Sequence, residues 1–195
     1  MNDVLVPKRG LLLPDFGLLL RAKEPDSPKL LGYRRDGSPI LPVEGSAFAS
    51  SGLYLLNQID ILDATQLAID LSLTTHKWAM YTNTLTPNFS SDVSYAATNE
   101  VSGTGYTAGG RTISAGGGSP TLTESPTGTM MYDQNDMVWP SPTSVTARGA
   151  ILYADALAAD NLIVAMTFGS DFTSTAGTFT IQFNSLGVFT VDFTP

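Results

Sequence analysis

The 195-residue chain contains no cysteine, so neither a disulfide nor a thiolate metal site holds it together. It has one histidine, His76, which leaves almost no material for a histidine-based metal centre or an ordinary catalytic triad. Charge is thin, at 14% of residues against the usual quarter. Basic residues are the scarcest, 10 against 18 acidic, for a net charge of −8. Neutralising phosphates needs a basic face, so this balance argues against nucleic acid as the main partner. No apolar run approaches the roughly 18 residues of a spanning helix. Pro7, Lys8 and Arg9 interrupt the place where a signal peptide would carry its apolar stretch. The expectation is a soluble chain with no membrane partner, no cofactor and no catalytic task.

What the chain does contain is unevenly distributed. Residues 1–43 carry seven basic residues and five acidic ones, +2, whereas residues 44–195 carry three and thirteen, −10. Only Ser27 and Ser38 precede the boundary, against 39 Ser and Thr after it. Segments of such different chemistry do not share one core, so the expected division is an arm, 1–43, and an acidic domain, 44–195.

Prolines at 7, 14, 25, 28, 39 and 42 exclude a helix of normal length from the arm. Between them lie apolar anchors: Val4, Leu5 and Val6, then Leu11, Leu12 and Leu13, then Leu18, Leu19 and Leu20. Two Gly-Leu-Leu-Leu words seven residues apart suggest a coiled coil, but Pro14 stands between them. Such a segment cannot bury its leucines alone and is too apolar for a solvated linker. It is expected to dock on a neighbouring subunit, with the anchors above and the cations Arg9, Arg34 and Arg35 as contact residues. Folding back over its own domain is the alternative.

The remainder reads as all-β, a β-sandwich or jelly roll. Residues 178–183 alternate, with Phe179, Ile181 and Phe183 on one face. Residues 188–193 repeat the pattern through Phe189, Val191 and Phe193, and Asn184-Ser185-Leu186-Gly187 between them predicts a hairpin. Strands are also predicted at 67–73, 77–82, 149–154 and 161–168, the last with both faces buried. Residues 51–62 fit a short helix as well as a strand. Residues 82–107 and 109–126 read as long irregular loops too polar and glycine-rich to form core, with Gly116-Gly117-Gly118 as a flexible tip.

No catalytic constellation stands out. His76 reads as structural or solvent-facing. Gly103-Thr-Gly-Tyr106 and Ala108-Gly-Gly110 lack the Gly-Lys-Ser/Thr of a phosphate loop and read as turns. Asp133 and Asp136 lack the glycine and distal glutamate of a calcium loop. Tyr81, Phe89, Tyr95, Tyr106, Tyr132 and Trp139 lie in or beside the long loops. They suit either a sugar-binding platform or, the favoured reading, pins that hold the loops to the sheets.

Three stretches carry a resemblance. They are Thr98-Asn-Glu-Val-Ser-Gly-Thr-Gly-Tyr-Thr-Ala-Gly-Gly110; Asp136-Met-Val-Trp139 with Thr146-Ala-Arg-Gly-Ala-Ile-Leu-Tyr153; and Leu162-Ile-Val-Ala-Met-Thr-Phe-Gly-Ser-Asp171 running into Gly177-Thr-Phe-Thr-Ile-Gln-Phe183. Across roughly residues 53–193 the chain resembles small β-sandwich virion structural proteins of tailed bacteriophages. The resemblance implies a particle component without enzymatic activity, assembled in the host cytoplasm and located in the virion. Its partners would be the major capsid protein or neighbouring virion subunits, with self-association, a trimer, expected as well. Capsid decoration through the arm is the leading expectation, and a tail-fibre or tail-tip component binding a host glycan is the alternative.

Overall fold

The computed structural model describes residues 48–63 and 66–193, together with the backbone of two short strands nearer the N-terminus. Those strands are β1 (Gly32–Tyr33) and β2 (Pro39–Ile40), an antiparallel pair with Gly32 opposite Ile40. The sequence between them contains Asp36-Gly37, a hairpin-turn signal that a reading of 1–43 as extended throughout passes over. The predicted docking residues from Val4 to Leu20, with Arg34 and Arg35, lie outside the described residues.

From Phe48 the order is β3 (Gly52–Leu53), α1 (Leu55–Leu62), β4 (Lys77–Tyr81), β5 (Arg111–Thr112) and β6 (Thr121–Glu124). Then follow β7 (Thr129–Asp133), β8 (Met137–Ala154), β9 (Asn161–Ile181) and β10 (Phe189–Asp192). A five-stranded sheet runs β3-β9-β8-β4-β5 and a three-stranded one β10-β7-β6, with every pairing antiparallel. The all-β expectation holds, with one short helix among the described residues. The ambiguity at 51–62 resolves into both answers, a two-residue strand followed by a helix.

The largest unit is the β8–β9 pair, of 18 and 21 residues. Sequence alternation finds only the pieces 149–154, 161–168 and 178–183, because the period is reset inside each strand. Gly169 (φ 77°) and Ala176 (φ 49°) interrupt β9, and the register against β8 shifts between Trp139 and Thr143, again to Val145, and between Ala147 and Gly149. Each bulge flips the faces that alternation tracks while the ladder continues past it. The bulges also bend β9, so that the rings of Phe168 and Phe179, eleven residues apart, come within 6.3 Å.

Two of the strand expectations are corrected. The turn at 184–187 forms, with Gly187 N–H donating to Asn184 O at 2.9 Å, but it does not close a hairpin. β9 stays paired with β8 while β10 crosses to β7, where Phe189 lies opposite Tyr132 and stacks on its ring at 5.2 Å. Both strands alternate as read; alternation simply carries no information about which strand is the partner. Residues 67–73 form no strand. Ile69 and Leu71 do pack on the core, but Asp70 Oδ1 accepts from both Ser72 N–H (2.9 Å) and Ser72 Oγ (2.7 Å), which turns the chain locally.

The core has two parts. Ala79, Tyr81, Ile151, Tyr153, Leu162 and Ala165 pack with Phe48 and Tyr54 in one cluster. Trp78, Met80, Ala150 and Leu152 pack in the other with Trp139 and Phe179, and with Tyr132 and Phe189 of the three-stranded sheet. Alternate residues of β4 and β8 thus feed both clusters, and of residues 161–168, expected to be buried on both faces, 161–165 are buried and 166–168 partly so. The loops contribute more than expected, since Val101 and Ile113 are core residues. The glycine tip is anchored rather than flexible: Gly116 N–H reaches Thr112 O (3.0 Å), Gly118 N–H reaches Ile113 O (2.8 Å), and Gly116 O accepts from Val138 N–H (3.0 Å).

Candidate functional site

The densest polar arrangement lies where the 82–110 loop returns to the large sheet. A bridge between Tyr81, at the end of β4, and Glu100 places that carboxylate beside the sheet. Tyr95 Oη donates to Glu100 Oε2 at 2.5 Å and Tyr106 Oη donates to Oε1 at 2.5 Å. Gly109 N–H donates to both oxygens, at 2.9 and 3.1 Å. Tyr106 Oη in turn accepts Met80 N–H (2.9 Å), and Tyr153 Oη donates to Gly109 O (2.6 Å). Tyr95 stacks on Tyr153 at 4.7 Å, and Tyr81 Oη reaches Ala96 O at 2.9 Å. Four loop segments are thereby tied to strands β4 and β8.

The electrostatics fit a clamp. Burial, the largest cause, pushes the phenols of Tyr81, Tyr95, Tyr106 and Tyr153 above their ordinary value, and the Glu100 hydrogen bonds add to this for Tyr95 and Tyr106. Phenols held protonated act as donors, and the carboxylate that receives them has its lone pairs engaged. The sequence singles out Tyr81, Tyr95 and Tyr106 but not Glu100 or Tyr153. The available signal was that Glu100 is the one acid between Asp92 and Glu124, set among aromatics.

The other candidates resolve as structural parts. Tyr132 and Trp139 are buried, Phe89 leans on Tyr54 (5.4 Å) and Tyr106 stacks on Trp139 (6.3 Å). The loop aromatics therefore act as pins. His76 is buried and its Nε2–H donates to Asp70 O at 2.7 Å, while burial lowers its pKa. Asp133 Oδ1 accepts Gln134 N–H (2.8 Å), and Asp136 Oδ1 accepts Phe183 N–H (3.0 Å). Among the described residues no three His, Asp or Glu side chains are grouped to hold a metal ion. The glycines at 103 and 110 are packing positions, where an added Cβ would overlap Ser144 O and Trp78 O respectively.

A surface feature stands apart from these. Helix α1 is turned inside out: its one buried residue is Asn57. The Asn57 amide donates to Val93 O (2.7 Å) and Leu162 O (2.8 Å), and its oxygen accepts from Asn161 Nδ2 (3.3 Å). Leu55 (46% exposed), Leu56, Ile59 (46%) and Leu62 (86%) face outward. The spacing of Leu55, Ile59 and Leu62 is i, i+4, i+7, the face that a helix ordinarily buries.

Compared with protein-family models, curated proteins and solved structures, the chain matches none.

Proposed function

We propose that this chain is a non-enzymatic structural protein of a bacteriophage particle, a capsid decoration or minor capsid protein held by its N-terminal arm. The observation that carries the reading is the contrast between the two parts of the chain. A basic segment with three apolar triplets precedes an acidic body whose loops are clamped internally and whose helix α1 offers an apolar face. The resemblance to small phage virion proteins supports it, since its three stretches fall on the Glu100 loop, on β8 and on β9. We further read the two sheets as a sandwich, because Tyr132 and Phe189 of one share a cluster with Trp78 and Trp139 of the other.

The tail-adhesin alternative is less well supported, because stacking on a sugar needs free ring faces and the loop aromatics are engaged with one another. The test is occupancy on purified particles, read by gel densitometry against the major capsid protein. Removing residues 1–43, or changing Leu11, Leu12 and Leu13 to Ser, should abolish or weaken incorporation. Normal occupancy of the arm-deleted chain refutes arm anchoring. A copy number of a few dozen or fewer would favour the tail.

A further inference from the structure

We infer that the outward face of α1 is the acceptor for the leucine-rich arm of a neighbouring copy of this chain, so that copies associate by exchanging arms. The inference deepens the reading of the arm as a docking element and rests on it.

The face is built for burial. Polar Asn57 points inward, satisfied by Val93 O and Leu162 O, while Leu55, Leu56, Ile59 and Leu62 point to solvent. A mere surface helix would have the opposite arrangement. The face is too small to act alone: eight residues make a helix about 12 Å long, well short of the roughly 800 Å² per partner of a stable interface. Two such helices packed on each other would not hold a dimer, so the occupant must bring further apolar area. The arm does so through Leu11–Leu13 and Leu18–Leu20.

Charge complementarity points the same way. The body from residue 48 to 193 carries three basic and twelve acidic residues, −9, and such bodies repel one another. Residues 8–35 carry seven basic and three acidic residues, +4, and supply the cationic bridge that close association needs. The route favours a neighbour's arm over the chain's own. Gly52 lies opposite Ala165 and Leu53 opposite Val164, while Thr167 Oγ1 donates to Phe48 O (2.6 Å). From Phe48 to Tyr54 the chain therefore runs along β9 toward α1, so an arm preceding Phe48 has to reverse its course to lie on its own helix. With residues 32–40 doubled back in the β1–β2 pair, the stretches on either side between Leu20 and Phe48 still reach about 65 Å when extended, more than the diameter of such a body, about 40 Å.

The test uses the full chain in sedimentation velocity over a wide concentration range. Wild type should self-associate. An acceptor variant, Ile59→Glu with Leu62→Glu, and an arm variant, with all six leucines at 11–13 and 18–20 changed to Ser, should each weaken association by about 100-fold or more. Mixing the two variants should restore a one-to-one complex, because one retains a working arm and the other a working face. If the double acceptor variant fails to fold by circular dichroism, Leu62→Glu alone serves, since that side chain is 86% exposed. A wild type that stays monomeric overturns the inference, as does association indifferent to the acceptor changes or variants that do not complement. Protection of the α1 face in a monomer, lost in the arm variant, would show the chain's own arm as the occupant. No particle is present in this assay, so normal particle occupancy of the arm variant, with its self-association lost, refutes the anchoring reading alone.

Discussion

Raising the pH should unfold this protein abruptly rather than titrate it. Tyr54, Tyr81, Tyr132 and Tyr153 are essentially buried. Burial, as the largest cause in each, lifts all four above the ordinary phenol value of 10.0. A raised folded-state pKa means that the folded chain keeps protons the unfolded chain releases. The stability these groups contribute is therefore complete below pH 10 and is lost as the pH climbs toward the folded values. Each group changes stability by up to about 1.4 kcal/mol per pH unit, so four together contribute about 5 kcal/mol per unit. Against a typical domain stability of about 5–15 kcal/mol, the fold should collapse within about one to three units above pH 10. Tyrosinate absorbance and far-ultraviolet circular dichroism, followed on one sample, should change together and more steeply than a one-proton titration. Phenolate appearing gradually near pH 10 with the sheet signal intact would refute the burial argument. Tyr132→Phe, which removes one of the four protons, should flatten the transition.

Three further outcomes follow from the packing. Glu100→Ala strips the acceptor from Tyr95, Tyr106 and Gly109 and should cost about 2–4 kcal/mol in denaturant unfolding. Glu100→Gln keeps one acceptor oxygen and should cost less; equal stability of all three proteins would show that the clamp is idle. Phe179→Ala should cost about 3–5 kcal/mol and Thr180→Ala, on the exposed face of β9, under about 1 kcal/mol, with equal costs contradicting the observed register. Gly110→Ala should destabilise by about 2–4 kcal/mol, because φ is +75° and the added Cβ overlaps the Trp78 carbonyl. An unchanged midpoint would mean that the loop is not pressed against β4.

Alternation marked strands at 178–183 and 188–193, but it also ran unbroken through 67–73, where no strand forms. Only the end of β9 and β10 show period two as a consequence of one-sided burial; β4, the second half of β8 and the start of β9 read instead as short apolar runs buried on both faces. Where a bulge intervened the signal stopped, so the strand read as 161–168 ended before Gly169, which is a corner within β9. The pinning role of the aromatics was also legible from composition. The acceptor that organises them was not, since a carboxylate in a loop looks solvated until the fold sets two phenols against it.

Composition alone determined the exclusions and the partition of charge, because a residue that is missing or segregated stays so in any conformation. Zero cysteine, one histidine and the +2/−10 split across residue 43 are facts of the chain. Tertiary structure decided which strand pairs with which, where β10 abandons β9 for β7, and which face of α1 looks outward. Those choices depend on contacts between residues far apart in the chain. Asn57 is buried because Leu162 O, 105 positions away, needs a donor, and no local pattern can announce a partner at that distance.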